Sequence, residues 1–329
     1  MSAADVPLLS VRDLHVGFPT EGGLVKAVDG VSFDLRRGET LSLVGESGCG
    51  KSTTARAIVG LIRPDAGRIE FEGRDIAFDR RALKAVRPRL QMLFQDPYAS
   101  LDPRMDVGAI VAEPLVVHRR LDGRAELDRR VCELFETVGL DASLRRRYPH
   151  EFSGGQRQRI GLARALALEP DVLLLDEPVS ALDVSVQAQV LNLLEDLRRR
   201  HGLTYLFIAH NLGVVRHVSD RVAVMYLGRI VETGPRDDLF GRPLHPYTVA
   251  LLSAVPVPDP EVEARRRRIP LEGEIPSPTA VIEGCPFRSR CAHAFDRCAV
   301  EAPRLVERGP GRFAACHLET APSSGGTLP

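Results

Sequence analysis

The sequence predicts an α/β fold, and two observations support this prediction. Short runs rich in strand-forming residues at 40–44, 172–175 and 204–209 alternate with helical periodicity at residues 156–168 and 185–200. Because these runs are mostly apolar, they indicate buried parallel strands. The second observation is a glycine-rich loop that follows the first of these strands and precedes a helical pattern.

Length and composition limit the class of protein. The chain has 329 residues, more than one typical domain, of which 44% are hydrophobic and 27% charged. The 44 basic residues balance 44 acidic ones, which removes the long-range attraction expected of a dedicated nucleic-acid binder. No apolar run approaches the roughly 18 to 20 residues of a membrane helix. We therefore expect a folded protein that does not span a bilayer and does not bind nucleic acid.

The N-terminus predicts a cytosolic protein. Residues 1–9 include Asp5 and lack a basic segment ahead of an apolar stretch, so they do not resemble a signal peptide. A reducing compartment makes a disulfide framework improbable. The six cysteines should accordingly serve metal binding, chemistry or packing.

Proline and cysteine usage divides the chain. Residues 1–234 hold 10 of the 24 prolines, the remainder holds 14, and four of the six cysteines follow residue 284. We predict a main domain over 1–234, a Pro-rich linker or extension over 235–284, a Cys-rich segment over 285–320 and a disordered tail over 321–329. The arginine run at 265–268 is typical of a solvated linker.

The glycine-rich loop matches the phosphate-binding motif G-x-x-x-x-G-K-[ST]. Its backbone N–H groups and the following helix N-terminus suit phosphate, Lys51 can reach the β- and γ-phosphate oxygens, and Ser52 can ligate Mg²⁺. A glycine-rich turn with an incidental lysine is the alternative, which the order strand, loop, helix disfavours. Cys49 fills a free position of the motif and is expected to be inert. The predicted nucleotide-binding residues here are Gly45, Ser47, Gly48, Cys49, Gly50, Lys51, Ser52 and Thr53.

Two carboxylates follow the apolar run at 172–175. Asp176 and Glu177 are placed where an open parallel sheet binds its ligands. Asp176 suits the Mg²⁺ shell, and Glu177 can polarise an attacking water. The alternative is a pair of N-cap residues before the next helix, which the presence of a phosphate loop makes less attractive.

A second helix start is suited to anions. Ser153 is a natural N-cap, Gly154 and Gly155 expose the first amides of the helix, and Gln156 follows. A capped helix alone would explain this segment. Its co-occurrence with the phosphate loop and the carboxylate pair favours a nucleotide site.

In their order along the chain, these motifs resemble those of the ATP-binding-cassette ATPases. The resemblance also includes Gln95 after an apolar run, Asp183 and His210, and it covers about residues 8–235. More narrowly, the segments at 94–98, 148–152, 177–185 and 245–248 are similar to the ATPase subunit of oligopeptide/dipeptide importers, and with the Cys-rich end this likeness extends to about residue 320. The family fold that it implies is a P-loop NTPase cassette with a RecA-like core, an antiparallel β subdomain and a helical signature subdomain, plus a small Cys-rich C-terminal extension.

The resemblance implies a role for each matched residue. Glu177, His210 and Gln95 would be catalytic, with His210 on the γ-phosphate and Gln95 near Mg²⁺ or the attacking water. In this family each ATP lies between the phosphate loop of one subunit and the Ser-Gly-Gly-Gln segment of its partner, and Asp183 would link the two such sites of a dimer. Phe18 would stack on adenine, unless it is an ordinary core residue. The implied Mg²⁺ ligands are Ser52, Gln95 and Asp176. The residues implied to contact the ATP of a partner subunit are Ser153, Gly154, Gly155 and Gln156.

The implied function is the ATPase that powers uptake of di- or oligopeptides. The same role for glutathione, nickel chelates or another solute remains an alternative, because the cassette does not touch cargo. A DNA-repair ATPase would have long heptad segments between Lys51 and Ser153, and a translation-associated relative would have two cassettes; this sequence has neither. The implied partners are a second homologous ATPase subunit, two transmembrane permease subunits and an extracytoplasmic solute-binding protein, with this chain peripheral on the cytoplasmic face of the membrane.

The C-terminal cysteines predict a metal centre. Cys285, Cys291, Cys298 and Cys316 are spaced C-x5-C-x6-C-x17-C in a segment too small to be held by apolar burial alone. Four thiolates can ligate zinc or a [4Fe–4S] cluster, and the short C-x2-4-C spacing typical of zinc is absent. The resemblance implies the [4Fe–4S] cluster. Zinc, with His293 or His317 as substitute ligands, and unliganded cysteines remain alternatives.

Overall fold

The computed structural model describes residues 6–319 except 122, 256–268, 272, 275, 278 and 281. The predicted tail at 321–329 and the arginine run at 265–268 lie outside the described residues, as does part of the predicted linker. Within the described ranges, every helix falls short of the length and apolarity needed to cross a bilayer. The chain forms two compact units: Met1–Leu35, Glu39–Phe78 and Ala209–Pro329 make the first, and Arg36–Gly38 with Asp79–Ile208 make the second.

The strands among the described residues are β1 Leu9–Thr20, β2 Gly23–Leu35, β3 Thr40–Val44, β4 Ala66–Phe71, β5 Arg74–Asp75, β6 Leu90–Leu93, β7 Val172–Asp176, β8 Thr204–Ala209, β9 Arg221–Tyr226, β10 Arg229–Pro235, β11 Val306–Gly309 and β12 Arg312–Ala314. The helices are α1 Lys51–Ile58, α2 Arg80–Val86, α3 Pro97–Ser100, α4 Val107–Val117, α5 Arg124–Thr137, α6 Gly154–Leu166, α7 Val184–His201, α8 Leu212–Val218, α9 Arg236–Gly241, α10 Pro246–Ser253 and α11 Asp296–Val300. Short 3₁₀ turns lie at Arg87–Arg89, Ala142–Arg146, Pro149–Glu151 and Arg288–Arg290.

The first unit contains an antiparallel sheet of order β2-β1-β4-β5. It also contains the run of neighbouring strands β11-β12-β10-β9-β3, in which β3 pairs with β9 in parallel and the remaining pairs are antiparallel. All five residues of β3 are buried, as predicted for a strand at 40–44, and they include the hydroxyl side chains of Thr40 and Ser42. The C-terminal part of the chain therefore joins the unit that carries the phosphate loop, through β12 on β10.

The second unit combines the parallel strands β6, β7 and β8 with helices α2 to α7. Every residue of β7 and β8 is buried, which confirms the strands predicted at 172–175 and 204–209. The helices predicted at 156–168 and 185–200 are α6 and α7, displaced by one or two residues. Strand β6 ends two residues before Gln95, and β7 ends at Asp176. The carboxyl ends of two neighbouring parallel strands thus place these side chains at one edge.

Candidate nucleotide-binding site

The phosphate loop of the first unit runs from β3 into α1, in the predicted order. Two of its glycines are required by close backbone packing. A Cβ at Gly45 would lie 2.1 Å from the carbonyl oxygen of Met225, and a Cβ at Gly50 would lie 2.0 Å from that of Ala27, with φ values of 153° and 104°. No L-residue with a side chain fits either position without moving β2 or β9. These contacts fix the curled backbone that a phosphate loop needs.

Lys51 is directed into the loop. Its ammonium donates to the carbonyl oxygens of Gly45 (2.9 Å) and Glu46 (2.8 Å), and the side chain is buried. Three donors on one ammonium allow the lysine to hold both carbonyls and still direct a proton elsewhere. The Cys49 thiol lies 3.6 Å from the same nitrogen, and burial raises its pKa, so the thiol stays protonated at neutral pH.

The start of α1 lacks a side-chain cap among the described residues. Gly50 is the N-cap, and among the described residues no side chain caps this end and no acidic residue lies in the first turn. Ser52 and Thr53 occupy that turn, and Ser47 and Gly48 are exposed in the loop. A helix N-terminus of this kind presents N–H groups and partial positive charge to an anion.

In the second unit, the structure brings Gln95 and Glu177 together. The Gln95 side-chain amide donates to a Glu177 carboxylate oxygen at 2.9 Å. Glu177 has φ 47°, in the left-handed region, and its backbone N–H donates to Ile208. A non-glycine residue in this region is strained, which is common where a side chain is held for chemistry. Asp176, one residue earlier, is fully buried at the end of β7.

Residues Ser153 to Gln156, the signature segment, start helix α6 with a capping box. Gln156 N–H donates to the Ser153 hydroxyl (3.3 Å), while Ser153 N–H donates to the Gln156 side-chain oxygen (3.0 Å). Ser153 is therefore the N-cap that the sequence predicts, and the S-x-x-Q pattern was a signal for the reciprocal bond as well. A Cβ at Gly155 would lie 2.4 Å from Val186, so this glycine allows α6 to approach the start of α7.

Two arginines of α6 hold the segment that follows Gln95. The Arg157 guanidinium lies over the Tyr98 ring, 3.8 Å from its centroid, and donates to the Pro149 carbonyl at 2.7 Å. Arg164 donates to the Ser100 carbonyl at 2.6 Å. The signature helix and the Gln95 segment are thus one packed assembly within the second unit. Sequence reasoning missed this link, because a cation–π pair 59 positions apart leaves no local pattern.

The remaining predicted residues are placed as follows. Asp183 is the N-cap of α7, and hydrogen bonds from Val186 N–H and Ser185 lower the pKa of its carboxyl. His210 is exposed directly after β8. The next residue, Asn211, was not among the predicted site residues; it caps α8, because its side-chain oxygen accepts hydrogen bonds from Gly213 and Val214 N–H. Phe18 is 40% exposed near the end of β1 and is therefore not ordinary core.

The structure brings together the residues of each motif. Within the first unit these are the loop residues from Gly45 to Thr53, and within the second unit they are Gln95 with Glu177. Sequence reasoning missed two residues that contact the loop: Tyr247 accepts a hydrogen bond from Glu46 N–H, and Arg290 forms an ion pair with the Glu46 carboxylate. An acid inside a phosphate loop was the available signal that a basic partner was needed.

The C-terminal cysteines are free thiols in one small region. Burial raises the pKa of Cys285 to about 11, and the other three cysteines add to the rise. Burial also raises the pKa of Cys291 and Cys316. Within the part of the chain that the structure describes, no three His, Cys, Asp or Glu side chains are grouped so that they could hold a metal ion. The predicted [4Fe–4S] site, and its zinc alternative, therefore receive no support from the side-chain geometry.

Comparison with protein families finds two models that match this chain. The model described as "ABC transporter" matches residues 28–180, and the model described as "Oligopeptide/dipeptide transporter, C-terminal region" matches residues 231–298. The first contains the phosphate loop, the Gln95 segment and the Asp176–Glu177 pair. The second contains Tyr247 and Arg290.

Comparison with individual proteins agrees with these two family matches. The oligopeptide transport ATP-binding protein AppF of Bacillus subtilis is 52% identical over 320 residues, covering 94% of this chain and 97% of AppF. Two solved structures share the fold. The first is cbiO1 of Clostridium perfringens, part of the ABC transporter complex cbiONQ, with a TM-score of 0.63 and 29% identity over 72% of this chain and 91% of cbiO1. The second is the ATP-binding cassette MJ0796 bound to ADP and Pi, with a TM-score of 0.64 and 26% identity over 69% of this chain and 98% of MJ0796.

The fold is that of an ATP-binding cassette with mixed α/β sheets. Together with the loop geometry and the match along nearly the whole chain, this shows that the chain belongs to the family of ATP-binding-cassette ATPases of oligopeptide/dipeptide transporters.

Proposed function

We propose that this chain hydrolyses ATP to power uptake of di- or oligopeptides through a membrane importer. The observation that carries the proposal is the likeness to oligopeptide transport ATP-binding proteins over 94–95% of the chain, which includes both the cassette and the C-terminal part. The phosphate loop geometry supports the ATP-binding half of this proposal.

The first unit would bind the nucleotide. The curled loop and the open N-terminus of α1 present backbone N–H groups to the phosphates, and Lys51 can exchange a loop carbonyl for a phosphate oxygen. Phe18, exposed near the end of β1, is available to stack on adenine. His210 would contact the γ-phosphate.

For the Mg²⁺ that accompanies ATP, Ser52 is the proposed ligand in the first unit, and Gln95 and Asp176 are the oxygen donors that the family resemblance implies in the second unit. Hydroxyl, amide and carboxylate oxygens are the donors that this ion prefers, so the chemistry of the set fits. When bound, the ion neutralises charge on the β- and γ-phosphates.

The second unit would activate the attacking water. Glu177 is the proposed base, and the hydrogen bond from Gln95 orients its carboxylate. Because Gln95 lies in the segment held by Arg157 and Arg164, movement of that segment would move the bond as well.

The proposed assembly contains more than one chain. Ser153, Gly154, Gly155 and Gln156 would contact ATP bound by a second homologous ATPase subunit, and Asp183 would link the two sites. Two transmembrane permease subunits and an extracytoplasmic solute-binding protein would complete the importer, with this chain peripheral on the cytoplasmic face of the membrane.

The C-terminal cysteines carry a narrower proposal, a structural [4Fe–4S] cluster. Its support is the donor set: four free cysteines in one small region, close enough for each to influence the ionisation of Cys285. The four side chains would have to converge for a cluster to bind, since their described positions form no ligand group.

The function is tested with the assembled importer and a Glu177→Gln variant. The variant should bind ATP, lose hydrolysis by about a hundredfold or more and accumulate a nucleotide-bound dimer, because the base is lost while the phosphate loop is unchanged. Wild-type turnover in this variant would refute the role of Glu177. Vesicles that take up glutathione or a nickel chelate, but no peptide, would refute the proposed cargo and leave the ATPase role intact.

A further inference from the structure

The phosphate loop contains an acid that is paired by a residue 244 positions away. Both carboxylate oxygens of Glu46 accept from the Arg290 guanidinium, at 2.7 Å from Nη1 and 3.0 Å from Nη2. The Arg290 side chain is 4% exposed and that of Glu46 is 26% exposed. A bidentate pair with one partner buried is geometrically specific, unlike a typical surface ion pair.

The backbone of Glu46 is held from the same part of the chain. Its N–H donates to the Tyr247 hydroxyl at 2.9 Å, and Tyr247 is fully buried. The Glu46 carbonyl in turn accepts from the Lys51 ammonium at 2.8 Å. A continuous set of hydrogen bonds therefore runs from Arg290 and Tyr247, through one loop residue, to the lysine that binds phosphate.

An aromatic cluster fixes the two C-terminal residues. Phe287 packs against Tyr226 with ring centroids 5.3 Å apart and against Tyr247 at 5.4 Å, and Tyr226 and Tyr247 lie 4.8 Å apart. The Arg290 guanidinium lies 5.9 Å from the Tyr226 ring centroid. These rings hold the arginine at the loop by packing that does not depend on the ion pair itself.

The charge of Glu46 explains why a partner is needed. ATP brings several negative charges to the loop, and an unpaired carboxylate in the same loop would repel them. It would also be free to rotate toward the N–H groups meant for phosphate. Arg290 neutralises the carboxylate and holds both of its oxygens.

From these contacts we propose that Arg290 is a positioning residue of the nucleotide site, which sets ATP affinity by neutralising and holding Glu46. The inference rests on the proposed function, since it takes the loop to bind ATP. It assigns the C-terminal part of the chain a direct effect on nucleotide binding in its own subunit.

The test compares variants of the full chain by titration with a fluorescent ATP analogue. Arg290→Gln should weaken binding about tenfold, while Arg290→Lys, which keeps the charge, should lose less. Adding Glu46→Gln to Arg290→Gln should recover most of the loss, because the repelling charge is gone. In ATP hydrolysis, the effect of Arg290→Gln should fall on KM and not on kcat.

The matched control is Arg297→Gln. Arg297 forms a bidentate pair with Glu301 in the same C-terminal region, with both side chains more than half exposed. Its loss should leave the titration unchanged. If Arg290 served only to hold the fold, the double variant would bind as weakly as Arg290→Gln or more weakly, and the inference would be wrong. Equal binding by wild type and Arg290→Gln would also overturn it. A wild-type chain that binds no ATP analogue would instead refute the proposed function.

Discussion

Acidification should destabilise the first unit through one buried histidine, His245. The side chain is 1% exposed, and burial lowers the pKa of the imidazole from its ordinary 6.5 to about 3. Its Nδ1 accepts a hydrogen bond from Tyr247 N–H at 3.0 Å, which caps α10 and requires the neutral ring. Protonation would remove the acceptor and leave a charge in a buried site beside Phe287.

The linkage between protonation and folding gives the sign and the size of this change in the free energy of unfolding. Because the folded state lowers the pKa, the unfolded chain binds the proton first, and stability falls as the pH drops below about 6.5. A solution at about pH 5 is about 1.5 units below the ordinary pKa of 6.5, so the imidazole of the unfolded chain is protonated. The imidazole of the folded chain, with a pKa of about 3, stays neutral. At 1.36 kcal/mol per unit, the loss between about pH 7 and pH 5 is about 2 kcal/mol.

Glu232 acts in the opposite direction and must be separated from this effect. Its carboxylate accepts from Leu244 and His245 N–H, and burial raises its pKa, so acidification favours its folded state. A His245→Asn variant separates the two, because asparagine keeps a capping acceptor but does not titrate. The variant loses the packing of the imidazole ring at all pH values, so it should be less stable than wild type throughout. Its free energy of unfolding should nevertheless change less with pH than that of wild type.

The assay is urea denaturation, followed by circular dichroism, at about pH 7 and about pH 5. Hydrogen exchange of the backbone amides of α10 reports on the local stability of this helix. Wild type should lose about 2 kcal/mol more than His245→Asn over this range. His217→Asn, at an exposed position of the same unit, should behave as wild type. Equal pH dependence in wild type and His245→Asn would refute the reasoning.

Two further predictions concern the phosphate loop and the cysteines. Lys51→Ala should weaken binding of a fluorescent ATP analogue by about tenfold to a hundredfold, because a charge-assisted bond to phosphate is lost; unchanged affinity would contradict the assigned role. Anaerobically purified protein should contain about four iron and four sulfide per chain if the [4Fe–4S] proposal holds. Zinc at about one per chain would favour the alternative, and a metal-free protein with a protease-resistant C-terminal segment would end both.

The sequence predicts those parts of the site that lie within one stretch of chain. The loop from Gly45 to Ser52, the capping serine at 153 and the acids that end β7 each combine a motif with its own strand or helix, so their positions follow from local rules. The strands 40–44 and 204–209 were predicted at their observed bounds because both are short, mostly apolar runs that fold into fully buried strands.

Contacts between distant segments could not be predicted in this way. Tyr98 on Arg157 and Glu46 with Arg290 depend on how β-strands and helices pack, and no periodicity encodes the partner. The division of the chain shows the same limit. Composition changes near residue 234, but composition cannot show that β12, far along the chain, pairs with β10.

The buried polar groups around α10 belong to the same structure that supports the loop. Glu232 accepts from the backbone at residues 244 and 245, His245 accepts from Tyr247 N–H, and the Tyr247 hydroxyl accepts from Glu46 N–H. The Glu232, His245 and Tyr247 side chains are buried, and replacing one of them leaves its partner without that hydrogen bond, which costs about 1 to 3 kcal/mol. A cassette without this C-terminal part would expose Glu46 on both its carboxylate and its N–H. If the loop binds phosphate as proposed, Tyr247 and Arg290 make its acid compatible with that role, because they hold the Glu46 N–H and carboxylate.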